Sequence, residues 1–245
     1  MVQYVDRGCC HPLKVIAQRQ QANPDCGWFA YLLTIATKYN ITAQILNQLY
    51  NPDNPTRWKR FIKLHVKSWW NQHLFEDAKD RSTLQLLDLS LINAGETHFM
   101  YPRTGGSQLR TAIAFRTKML TGTYTLQSNT AKFNKYQVDP TCLLCKKAPE
   151  TTTHFILECQ QLEKIRKPLV SDINHHLREL GLSLPTEKLT RCKCLLNMGP
   201  SKKLPFDKNA RVKLSVLSNR VSLLCLKLHN ERFQLLGELN SKKAK

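Results

Sequence analysis

The sequence predicts a mostly α protein in which bundle-like helical segments flank one small knuckle rich in cysteine and histidine. Three observations predict it. Apolar residues recur at spacings of three and four over long stretches, while strict strand alternation is hard to find anywhere. Only 9 Gly and 11 Pro punctuate the 245 residues, so long helices are permitted. Residues 142–159 read CLLCKKAPETTTHFILEC, which sets Cys142, Cys145, His154 and Cys159 in a C-x2-C-x8-H-x4-C array.

Between Gln18 and Tyr50 the pattern predicts two short helices, one around Trp28 to Lys38 and one beginning near Thr42 as its N-cap. The turn-rich run NPDNP at 51–55 separates them from a longer helix, from about Thr56 to Asp80. Its stripe is Trp58, Phe61, Ile62, His65, Val66, Trp69 and His73. Residues 93–108, with Gly105 and Gly106, form a second break. Leu109, Ile113, Arg116 and Leu120 then mark a helix whose exposed side carries Arg110 and Lys118 and which Gly122 stops. After the array, Leu162, Ile165, Leu169, Ile173 and Leu177 predict a helix that Pro168 kinks and Gly181 ends. A third break covers 199–207. From Asn209 to Leu239 the stripe Leu214, Leu217, Val221, Leu224, Leu228, Leu235 and Leu239 predicts a last helix, interrupted only near Glu231 and Arg232. These breaks divide the chain into a helical part at 1–100, a basic segment with the knuckle and its following helix at 101–180, and a basic helical tail at 181–245.

The array has the donors that zinc takes in a closed tetrahedral site, since the turn of a Cys-x2-Cys pair aims both sulfurs inward. Five residues turn an α-helix by about 500°, so His154 and Cys159 do not share an α-helical face, and His154 is expected at or just before a helix start. The polar loop 146–153 has the length to fold back. Four protein ligands leave no position for a substrate, which predicts one structural zinc. A redox pair would need only Cys142 and Cys145. Cys9-Cys10-His11 and Cys192-x-Cys194 lack a matching second pair and read as free thiols, with a second metal as the alternative; Cys225 lies on an apolar stripe and reads as core.

A net charge of +19 answers a polyanion, with nucleic acid the leading partner. No acidic residue occurs between Glu96 and Asp139, a span that carries Arg103, Arg110, Arg116, Lys118, Lys132 and Lys135. These residues are expected to contact phosphates, with Tyr124, Phe133 or Tyr136 available to stack on unpaired bases or, on the plainer reading, to fill core. A membrane-surface helix would need bulky apolar anchors between its charges, and this span carries mostly Thr, Ser and Asn. Neither a signal peptide nor a membrane span is predicted, and a reducing intracellular setting, nucleus or cytoplasmic ribonucleoprotein, is expected. No serine-nucleophile elbow, Walker loop or paired-aspartate polymerase motif is present. Glu76, Asp77 and Asp80 beside Lys79 and Arg81 read as a solvated face, His175-His176 as an exposed pair, and Gly105-Gly106 as a turn. No enzyme activity and no small-molecule substrate are expected.

The strings KMLTGTYTLQSN (118–129), AKFN (131–134), DPTCLLC (139–145) and THFILEC (153–159) resemble the region C-terminal to the polymerase in LINE-type, non-LTR retrotransposon proteins. WKRFIK (58–63), Trp69-Trp70 and STLQ (82–85) are similar to the helical segment preceding that knuckle. The resemblance covers residues 25–175. It implies that Cys142, Cys145, His154 and Cys159 are the zinc ligands and that the region serves RNA and target-DNA binding in proteins that join an endonuclease to a reverse transcriptase. The polymerase and endonuclease motifs are missing from this sequence, so a fragment of a truncated element copy is expected. Two alternatives stand beside it: a zinc-bearing protein-interaction adaptor, and part of an active reverse transcriptase when joined to upstream domains. RNA against DNA stays open.

Overall fold

The computed structural model describes residues 27–50, 53–101, 106–200 and 207–243, together with Arg19 and Ala22. Among the described residues every regular element is a helix or a helical turn, and the extended pairing is confined to one isolated bridge between Thr141 and Pro149. The chain divides into two compact units, residues 1–76 and 77–245.

In the first unit, α1 (Gly27–Lys38) and α2 (Thr42–Tyr50) form a hairpin, and most of α3 (Pro55–Lys79) follows. Asn40 closes α1 at φ 54°: the Ile41 N–H reaches the Ala36 carbonyl at 2.9 Å and the Asn40 N–H reaches that of Thr37 at 3.1 Å. Thr42 is the first helical residue rather than the cap. Asn54 caps α3, its Oδ1 accepting the Thr56 N–H at 2.9 Å, and Pro55 sits where a missing N–H costs nothing. Trp58, Phe61 and Ile62 pack on Ala36, Ile41 and Ile45. No residue of α3 is fully buried, so its predicted stripe is half-covered. The two stripe histidines behave as aromatic faces: His73 stacks on Trp69 at 3.6 Å, and His65 lies 4.0 Å from Phe61.

The second unit holds α4 (Ser107–Leu120), α5 (Gln127–Phe133), α6 (Glu163–Glu179), α7 (Lys188–Leu196) and α8 (Lys208–Lys243). α8 packs against α4 and α6 through Leu214, Leu217, Val221, Leu224 and Leu228, all buried, while Leu235 and Leu239 are half-covered. It runs unbroken past Glu231 and Arg232, where the apolar stripe lapses because Arg232 turns to a buried carboxylate, Glu150. α4 and α6 end on Gly122 and Gly181, at φ 63° and 68°, as the sequence predicts. An added Cβ at Gly122 would lie 2.7 Å from the Thr83 carbonyl oxygen, whereas Gly95, at φ 71°, has open space. Gly122→Ala is therefore expected to cost about 1–3 kcal/mol. Gly95→Ala should cost only the left-handed backbone penalty, about 1 kcal/mol. Urea midpoints of the two variants would show equal shifts if Thr83 can move aside.

Arg116 overturns an expectation. It lies on the inner face of α4, fully buried, and cannot contact a phosphate. Its Nε donates to the Leu196 carbonyl at 2.8 Å and its Nη2 to that of Met198 at 2.6 Å, satisfying carbonyls at the end of α7 that lack helical donors. Its Nη1 reaches the Ser218 carbonyl at 2.9 Å and the hydroxyls of Ser218 and Ser222 on α8. Burial pulls this guanidinium down to about 10, with no carboxylate beside it.

Candidate metal centre and basic surface

The first pair of cysteines is held by a tight backbone reversal. The Cys142 N–H donates to the Ala148 carbonyl and the Lys146 N–H to that of Cys142, each at 2.9 Å, with Lys146 in the left-handed region at φ 55°. The Glu150 N–H reaches the Pro140 carbonyl at 2.8 Å, so loop 146–153 does fold back.

The second pair comes from one turn. Thr151 starts it, its Oγ1 accepting the His154 N–H at 3.1 Å and its carbonyl accepting the Phe155 N–H at 2.9 Å. His154–Glu158 is a π-helical turn, closed by the Cys159 N–H on the His154 carbonyl at 2.8 Å. Residues five apart diverge on an α-helix, but a hydrogen bond from i to i+5 brings them over one another. This widened turn carries both ligands on one side, where the spacing alone placed His154 at a helix start.

The four ligand atoms lie within 4.8 Å of one another, the one such His/Cys/Asp/Glu group among the described residues. Cys142 Sγ is 3.9 Å from Cys159 Sγ, and Cys145 Sγ is 3.3 Å from His154 Nε2. Cys142, His154 and Cys159 are buried. The Cys159 thiol and the amides of Cys145 and Leu144 pull Cys142 down to about 4, and the same sharing of one proton with Cys142 pushes Cys159 up. A group of three sulfurs and one imidazole, one thiol of which gives up its proton readily, can hold a metal ion.

The surroundings fit a metal. His154 Nδ1 is buried without a hydrogen bond and lies 3.7 Å from Glu158 Oε2, the placement of the carboxylate that orients a ligating imidazole. Glu158 in turn meets Lys188 Nζ at 2.5 Å. Glu150 joins three elements: its carboxylate takes both Nε and Nη2 of Arg232 at 2.8 and 2.9 Å, the Gln127 N–H at the start of α5 at 2.9 Å, and lies 4.0 Å from Cys142 Sγ. Arg166 Nη1 donates to the Cys159 carbonyl at 2.9 Å. Sequence reasoning missed these supports, although the lapse of the α8 stripe at Arg232 was a visible signal.

Of the residues nominated for nucleic acid, Arg110, Lys118, Lys132 and Lys135 are exposed, and Arg103 lies outside the described residues. Tyr124 is corrected along with Arg116. Its ring is buried against Phe155, its hydroxyl pairs with His229 Nδ1 at 2.8 Å, and burial pushes it up to about 12. Phe133 and Tyr136, by contrast, are 88% and 69% exposed at the end of α5. Consecutive left-handed residues there, Lys135 at φ 50° and Tyr136 at 62°, hold a strained turn. Cys225 is core as expected, Cys192 is buried and Cys194 exposed without a second ligand group; Cys9, Cys10 and His11 fall outside the described residues.

No described helix is long and apolar enough to cross a membrane. Comparison with protein-family models, with curated proteins and with solved structures found no match.

Proposed function

We propose that this chain is a zinc-stabilised nucleic-acid-binding module, in which a closed Cys-Cys-His-Cys knuckle is set among helical bundles. Zinc bonds of about 2.3 Å to sulfur and 2.0–2.1 Å to nitrogen imply tetrahedral edges of about 3.8 Å between sulfurs and 3.5 Å between sulfur and nitrogen. The distances of 3.9 and 3.3 Å support that ion. The observation that carries the binding reading is the end of α5, where exposed Phe133 and Tyr136 alternate with exposed Lys132 and Lys135 on a chain of net charge +19. Rings that cover no core, set between cations, are what single-stranded bases stack on. The chain's resemblance to the region C-terminal to the polymerase in retrotransposon proteins supports an origin in such a polyprotein; in-frame polymerase motifs in the genome upstream of Met1 would test that origin.

The binding test is fluorescence anisotropy with single-stranded RNA, single-stranded DNA and duplex between 50 and 300 mM salt. Affinity should fall linearly in log-log form, by about 0.9 per phosphate neutralised on duplex and 0.7 on single strands. Phe133→Ala should cost about 1–3 kcal/mol on single strands and little on duplex. Arg110→Ala with Lys118→Ala should flatten the slope by about one to two units. If the wild-type chain binds neither RNA nor DNA at low salt, the reading fails and the protein-interaction adaptor replaces it.

A further inference from the structure

α6, α7 and Leu157 line an open groove of about 630 Å³ beside the candidate metal site. Arg166, Lys167 and Arg178 from α6 and Arg191 from α7 line it, against one carboxylate, Glu163. None of these four cations makes an ion pair among the described residues. Three other cations of this unit are matched by carboxylates, Lys188 by Glu158, Arg220 by Asp172 and Arg232 by Glu150. Arg191 Nε is buried with no hydrogen-bond acceptor among the described residues. Four cations from two helices share one concavity with a single carboxylate, Glu163, an excess of positive charge that a bound anion would relieve.

We infer that this groove is a phosphate track for the nucleic-acid backbone, separate from the α4 and α5 residues that the charge pattern nominated. The inference rests on the nucleic-acid reading above. One wall belongs to the metal array: Leu157 of the π-helical turn lines the groove, and Arg166 is anchored on the Cys159 carbonyl at 2.9 Å. Metal binding therefore fixes the position of the groove's most buried cation. Lys167 and Arg178 are exposed along α6 and supply the outer contacts. The groove offers guanidinium forks, which pair with phosphate oxygens two at a time, and no aromatic side chain on which a base could stack. It is expected to read backbone without regard to sequence.

Lys167→Ala with Arg178→Ala changes two exposed side chains and leaves Arg166 and Arg191 in place. The titration uses the full chain with a 20-nucleotide RNA, its DNA counterpart and a duplex, each in two unrelated sequences. The double variant should flatten the salt slope by about one to two units and weaken binding between ten- and one-hundredfold at 0.1 M salt, equally on both sequences. A slope and affinity equal to wild type, while wild type binds, would overturn the groove and leave the nucleic-acid reading standing. Wild-type protein that binds no nucleic acid overturns both. Loss of binding to phosphatidylserine vesicles with nucleic-acid affinity intact would assign the groove to lipid phosphate and overturn the inference. Circular dichroism of the double variant should match wild type; if it does not, Lys167→Glu alone carries the test, with the same direction and a larger fall.

Discussion

Purified protein is expected to carry about one zinc per chain, and Cys142→Ser or His154→Ala should release it. Loss of one of four ligands opens the tetrahedron, and in small zinc modules the metal contributes about 10–16 kcal/mol of apparent binding free energy that is also folding free energy. The damage should not stay in the loop. Cys142 and Cys159 belong to the same core as Phe155, Ile156 and Leu162, against which α4, α6 and α8 are packed. Removing the metal therefore leaves two buried thiols competing for one proton, and frees the turn that seats Phe155 and Ile156. Hydrogen exchange should rise across 140–165 and also along α4 and α8. α1 to α3 have their own apolar contacts and should keep their protection. Cys194→Ser, at an exposed thiol, is the control and should change neither metal content nor exchange. Metal fully retained in both ligand variants would sink the site.

Arg116→Met is expected to lower stability by about 2–5 kcal/mol. The side chain is of similar length and apolar, so packing is largely kept, but the carbonyls of Leu196 and Met198 lose their donor in the interior. Each buried acceptor left unpaired costs about 1–3 kcal/mol. The Ser218 carbonyl still accepts from Ser222 Oγ at 3.1 Å and adds little. Removal of a buried charge returns part of the loss, which sets the upper figure below the plain sum. Arg116→Lys should fall in between, because an ammonium carries the charge but lacks the planar fork that reaches α7 and α8 together. Urea denaturation should show a lower midpoint with an unchanged slope. Full stability with weakened nucleic-acid affinity would instead put Arg116 back on the surface.

Six of the eight described α-helices, α1 to α4, α6 and α8, were legible in the sequence because each writes its own local rule, whereas the short α5 and α7 were not read from it. Trp58 to His73 and Leu214 to Leu239 repeat at three and four, Asn54-Pro55 opens a helix, and Gly122 and Gly181 close two more. The Cys142, Cys145, His154 and Cys159 group was legible too, since potential metal donors so closely spaced are a local pattern. Tertiary structure alone decided what those rules leave open. The three-four spacing sets Arg116 on the stripe of Ile113 and Leu120 and Arg110 on the other side, yet the acid-free span nominates both for phosphate; only the end of α7 and two serines of α8, 80 to 106 residues away, supply the acceptors that allow Arg116 to be buried. Tyr124 and Phe133 are both aromatic in a basic segment, yet His229 lies over the first and nothing covers the second. The groove lined by Arg166, Lys167, Arg178 and Arg191 likewise joins α6 to α7 across a loop, and no spacing along the chain records which cations an acid of another helix will neutralise. Local periodicity fixes which backbone groups pair within a helix; the partner of a buried charge is set by packing between elements distant in sequence, where the cost of leaving it unpaired is greatest.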